Sequence, residues 1–166
     1  ANLTIGAGGV AAVLTRKDLA PASAPKLRCA ITRSDSSANN LCEGNAAIGD
    51  GLEMQTDSEA LLEAGVSLAK TCWTAFKEES GWDADSLDRI ICHQVGRQHQ
   101  RALLDAIGVH LEKDYSTYAH YGNAGSVSCP MTLAHGIENG AVIPGDKVAL
   151  LGIGSGLCTL MLALEC

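Results

Sequence analysis

The sequence predicts an α/β fold: a mixed central sheet with helices on both faces, ending in a C-terminal β-hairpin. Three observations carry this. Short apolar runs, such as Ile90-Ile91-Cys92, alternate with longer segments of helical period. The strand segments are apolar on both faces, as strands covered from two sides must be. The last two runs, Lys147 to Ile153 and Leu157 to Leu164, are separated only by Gly154-Ser155-Gly156, a hairpin spacing.

In chain order, Leu3 to Leu14 is rich in small and β-branched residues without an amphipathic stripe, and Leu27 to Thr32 alternates. Two early strands are expected there. Ser34 to Gly51 is dominated by Ser, Asn, Asp and Gly and has no period, so it predicts a long surface loop or insertion. Thr56-Asp57-Ser58-Glu59 has the form of a capping box, with Thr56 as the cap. The helix it opens places Leu61, Leu62, Gly65, Leu68, Ala69, Cys72, Trp73 and Phe76 on one face and ends near Ser80-Gly81. Asp88 to Cys92 predicts a strand. Gly96 to Ile107 predicts a helix that Gly108 stops. Tyr115 to Tyr118 suggests a short strand. Val127, Met131, Ala134 and Ile137 space a further helix ending at Asn139-Gly140, with Pro130 in its first turn or kinking it.

Composition limits the function classes. With 46% hydrophobic and 19% charged residues among 166, the chain has the apolar surface for one core, so a single domain over 1–166 is the default. A net charge of −7 argues against nucleic-acid binding, which needs a surplus of Lys and Arg, but leaves room for a small anionic ligand. The seven cysteines are an odd number without a C-x-x-C pair or zinc spacing, so they read as reduced thiols of a cytoplasmic protein with no metal site. No apolar run reaches the roughly 20 residues of a membrane span, and Ala1-Asn2-Leu3-Thr4 lacks a signal peptide's basic start. A soluble protein is expected.

Three segments carry candidate chemistry. His93 follows the Ile90-Ile91-Cys92 strand and precedes a helix, at the strand end where open α/β sheets place ligands. Alone, a His there reads as a structural residue. Asn123, in Tyr121-Gly122-Asn123-Ala124-Gly125-Ser126, reads alone as a helix cap. Gly154-Ser155-Gly156 reads alone as a tight turn. A nucleophilic-elbow motif, G-x-S-x-G, would need glycine where Ile153 stands.

Taken in order, C-H-Q-V-G, Y-G-N-A-G-S and P-G-D-K-V-A-L-L-G-I-G-S-G resemble the C-terminal half of 3-oxoacyl-acyl-carrier-protein synthase III, a thiolase-fold condensing enzyme. The H-Q-V-G and G-I-G-S-G forms look closest to the acyl-CoA head-to-head condensing enzymes of olefin biosynthesis. The resemblance implies that His93 and Asn123 hydrogen-bond the thioester carbonyl of the second substrate, and that Gly154, Ser155 and Gly156 form an oxyanion loop. It also implies a homodimer catalysing decarboxylative or head-to-head Claisen condensation of acyl-CoA or acyl-carrier-protein thioesters in fatty acid or related lipid biosynthesis, with no cofactor. A neutral imidazole N–H and an amide NH₂ suit the enolate role because both donate without being titrated away.

The chain departs from the family in two ways. No cysteine has the family nucleophile's context, the start of a buried helix in the first half of the fold, so the nucleophile is expected upstream, in an N-terminal half, and this chain alone is expected to be inactive. Carrier-protein-dependent members have an Arg five residues after the His, facing the phosphopantetheine entrance. Here Gln98 holds that position, flanked by Arg97 and Arg101. With Gly96 replacing the usual Asn, this favours acyl-CoA.

Two other readings compete. Gly6-Ala7-Gly8-Gly9-Val10-Ala11 fits a dinucleotide-binding glycine motif loosely, but the residues after it continue as a strand and do not open a helix. The chain could also be a non-catalytic thiolase half that pairs with a separate polypeptide and exposes an apolar patch when isolated.

Overall fold

The hairpin organises the sheet. In the computed structural model, which describes residues 4–45 and 53–166, β5 (Lys147–Gly154) and β6 (Cys158–Glu165) pair antiparallel, with Val148 opposite Leu164 and Leu151 opposite Met161. β1 (Lys26–Ser34) flanks β6 antiparallel, and β4 (Arg89–Cys92) flanks β5 in parallel, giving the order β1-β6-β5-β4. Parallel neighbours need a crossover. Here it contains α2 (Arg97–Ile107), the single turn α3 (Tyr118–Tyr121) and α4 (Ser128–Glu138).

Period-two alternation divides the apolar residues between the two faces. Ile90, Cys92, Ala149, Leu151, Met161 and Ala163 face α2 and the long helix α1 (Ser58–Ser80). Ile91, Val148, Leu150 and Leu164 face the other way, toward Leu133 of α4. The expected two-sided cover is present. Trp73 and Phe76 of α1 stack with centroids 5.0 Å apart and fill the larger core, contributing about 0.5–1.5 kcal/mol beyond the area they bury. Gly81 and Gly108 end α1 and α2 in the left-handed conformation, as their sequence positions predict. Pro130 sits in the first turn of α4.

Four local expectations are corrected. The strand expected over 3–14 is absent among its described residues: only Ile5 forms a bridge, to Asn123, while Val13 and Leu14 stand 89% and 87% exposed. A strand is made by its partner, and residues 7–16 meet none among the described residues. The loop expected over 34–51 instead contains a 3₁₀ turn (Ser36–Leu41) and β2 (Cys42–Asn45), which pairs with β3 (Glu53–Thr56); residues 46–51 lie outside the described ones. Polar composition concealed both elements.

The helix cap shifts by one residue. Thr56 pairs with Cys42 in β3, and Asp57 accepts from the Ala60 N–H at 3.0 Å instead. The strand expected at Tyr115 to Tyr118 reduces to one bridge, between Ile90 and Asp114, before α3 begins. Side chains have taken the donors that a ladder would use: Asp114 accepts the Cys92 N–H at 3.2 Å, and Gln94 accepts the Thr117 N–H at 3.1 Å.

Candidate active site at the carboxyl ends of β4 and β5

His93 is the first residue past β4, and its N–H extends the ladder to the Leu151 carbonyl at 2.8 Å. The next residue locks the loop. Gln94 is 4% exposed, donates to the Cys92 carbonyl at 2.6 Å and accepts from Ser116 Oγ at 2.7 Å. Burial lowers the His93 pKa below its ordinary 6.5, so the ring is neutral at pH 7 and offers one N–H.

Asn123 arrives by a different route. The Thr117 carbonyl accepts from His120 and Tyr121 to wind α3, and Gly122 ends it with a φ of 65°. Asn123 Oδ1 accepts the Gly125 N–H at 3.0 Å. With its oxygen fixed this way, the amide presents its NH₂ as donor.

The turn between β5 and β6 completes the site. Asp35, just past β1, exchanges backbone hydrogen bonds with Leu157 at 2.8 and 2.7 Å, anchoring the turn's far end. Gly154 and Ser155 border an open, mainly apolar cavity of about 890 Å³ that His93 and Asn123 also line, and Gly156 closes the turn without lining it. The first turns of α1 contribute Leu61, Leu62 and Gly65 to the wall.

Helix α2 presents to this cavity residues that its sequence did not single out. His99, Gln100 and Leu103 line it, whereas Gln98 and Arg101 are exposed and line neither cavity, and Arg97 borders only a small cleft beside His93. The signal was available: three and four residues before Leu103 on the apolar stripe stand Gln100 and His99. Burial also lowers the His99 pKa. Behind His93, burial raises the Asp114 pKa, opposed by hydrogen bonds from the Gln100 side-chain amide and the Cys92 N–H.

Cys92 and Cys129 reach the cavity as thiols. Cys129 lies in the first turn of α4, where a helix dipole favours thiolate, yet burial and then the Asp114 charge push it up to about 12. Burial raises Cys92 well above its ordinary value. Among the described residues, no three His, Cys, Asp or Glu side chains converge as a metal site, and no helix is long and apolar enough to cross a membrane.

Residues 78–166 match the model of the 3-oxoacyl-[acyl-carrier-protein] synthase III C-terminal family. An acyl-CoA:acyl-CoA alkyltransferase of Xanthomonas campestris pv. campestris is 39% identical over 157 residues, 95% of this chain and 45% of that protein. One of Shewanella oneidensis is 39% identical over 171 residues, 99% of this chain and 49% of its own length. The fold superposes with a TM-score of 0.82 and 36% identity on a cysteine-to-serine variant of Xanthomonas campestris OleA with bound lauric acid and lauroyl-CoA, covering 91% of this chain and 43% of that one. The chain thus spans about half the length of the curated relatives it matches, with the architecture of the C-terminal half of a thiolase-like fold. It belongs to the 3-oxoacyl-[acyl-carrier-protein] synthase III C-terminal family.

Proposed function

We propose that this chain is the enolate-stabilising part of an acyltransferase that joins two acyl-CoA thioesters by head-to-head Claisen condensation. The observation that carries the reading is that His93, neutral through burial, and Asn123, with its amide oxygen occupied, line one apolar cavity beside the Gly154-Ser155-Gly156 turn. An acyl group sits on a cysteine supplied from outside this chain. The second thioester gives its α-proton to a general base that, like the cysteine, comes from outside this chain, and its enolate oxygen accepts hydrogen bonds from the His93 ring N–H and the Asn123 NH₂. The α-carbon then attacks the acyl-cysteine carbonyl, the resulting oxyanion accepts a backbone N–H of the turn, and the cysteine thiolate leaves.

Two 39%-identical alkyltransferases spanning nearly all of this chain support acyl-CoA as substrate, as does Gln98 where carrier-dependent members have Arg. The chemistry uses thioesters alone, without a cofactor. On this reading the complete enzyme is a cytoplasmic homodimer of lipid metabolism, and residues 1–166 alone do not condense.

The test compares His93→Ala and Asn123→Ala in the full-length protein. Each is expected to lower condensation about 10²–10³-fold, the cost of losing one preorganised donor, while mass spectrometry still finds the acyl-cysteine. Near-normal condensation in both variants would remove the pair from the mechanism.

A further inference from the structure

The glycine motif at Gly6-Ala7-Gly8-Gly9 has no part in the chemistry above, and it does not bind through a helix start. What Gly6 does is approach another backbone. Gly6 N–H donates to the Asn123 carbonyl at 2.9 Å, and Asn123 N–H donates to the Thr4 carbonyl at 2.7 Å. Residues 4–6 therefore hold both backbone groups of Asn123 in one parallel bridge centred on Ile5. The grip requires glycine on each strand of contact. A Cβ on Gly6 would collide with the Tyr121 carbonyl oxygen, and a Cβ on Gly122 would collide with the Thr4 carbonyl oxygen. Gly122 also has a φ of 65°, which side chains rarely adopt. Farther along the motif the demand fades: a Cβ on Gly8 meets only the flexible end of Met131 at 3.1 Å and Val127 at 3.4 Å, and one on Gly9 meets nothing.

We infer that Gly6 and Gly122 are positioning residues for the Asn123 amide: their interlocked backbones set where its NH₂ points in the cavity. The inference rests on the condensing role assigned to Asn123. The neighbours of Asn123 have holds of their own, Ala124 N–H on Ser128 Oγ at 3.0 Å and Thr117 on Gln94, but the backbone bonds of Asn123 itself go to Thr4 and Gly6, and its side chain bonds two residues onward, to Gly125. The N-terminal segment is thus a tether for a residue distant in sequence, and Gly6 is there for close approach.

The experiment is a double-mutant cycle in the full-length protein, measuring condensation and nucleophile acylation separately. Gly6→Ala is expected to lower condensation about 10²-fold, as a donor misplaced by about 1 Å does, and to leave acylation unchanged. Gly9→Ala should match the parent protein. If Gly6 acts through Asn123, Gly6→Ala/Asn123→Ala condenses no more slowly than Asn123→Ala alone. Additive losses, or equal losses in acylation and condensation, would overturn the proposal. Should Gly6→Ala fail to fold, glycolic acid incorporated at position 6 removes only the N–H donor to Asn123 and runs through the same cycle with the same outcomes expected. If Asn123→Ala itself condenses normally, the catalytic reading fails, and this inference falls with it. If Asn123→Ala is impaired and both position-6 variants condense normally, only the tether fails.

Discussion

Residues 88–166 and residues 4–25 start from similar material, short runs of small and β-branched residues, and end differently. In the first region Ile90, Ile91, Val148 and Ala149 are wholly buried between strands and helices. In the second, Val13, Leu14 and Leu19 remain on the surface. The difference lies in partners, not propensity. β4 meets β5 and β5 meets β6, so each apolar run satisfies its backbone and loses water in one step, whereas the N-terminal run meets the rest of the fold where Thr4 and Gly6 grip Asn123.

The comparison is easiest to break at its extremes. Phe76→Ala, at a fully buried site stacked on Trp73, is expected to cost about 3–5 kcal/mol in denaturant unfolding. Thr117→Val removes the partner of a fully buried hydroxyl, Thr132 Oγ1 at 2.6 Å, and should cost about 1–3 kcal/mol. The double variant with Thr132→Val should recover part of that loss, because no orphaned hydroxyl remains. Asp57→Ala should cost about 1 kcal/mol and Thr56→Ala clearly less, which would separate the observed cap from the predicted one. Val13→Ala should stay within about 0.5 kcal/mol. A loss at Val13 comparable to that at Phe76 would mean that the exposed segment is packed in solution, and the contrast between the regions would disappear.

A pH scan sharpens the same contrast at the site. His93 and His99 both have folded pKa values lowered by burial from 6.5, so between the lowered value and 6.5 the unfolded chain binds more protons. Their stabilising contribution is complete above pH 6.5 and is lost as pH falls through the folded values. His93→Asn should flatten this slope in urea titrations across the acid side of pH 6.5; an unchanged slope would mean that His93 is not desolvated.

Much of the site's identity was legible in the sequence, and its arrangement was legible only in part. His93 and the 154–156 turn were readable because each ends a strand recognisable by composition, and a strand end is a fixed place on a sheet. Asn123 could be named but not located, because it follows a single-turn helix whose start depends on the Gln94 side chain holding Thr117. Spacing from the histidine points to Gln98 and to Arg97 and Arg101 beside it, while the helical stripe that contains Leu103 turns His99 and Gln100 toward the cavity. The 3₁₀ turn and β2 leave no signal in the sequence because Asp35 and the backbone build them without an apolar pattern.

The sequence by itself determined the alternation of strands and helices, the hairpin and the residue types at the strand ends, because those depend on local period and on glycines at turns. Tertiary structure decided which runs became strands, which face of α2 met the cavity and why Gly6 must be glycine. Each of those depends on a partner distant in sequence: hydrogen-bond ladders, burial and close backbone approach are properties of two segments together, and no single segment carries them.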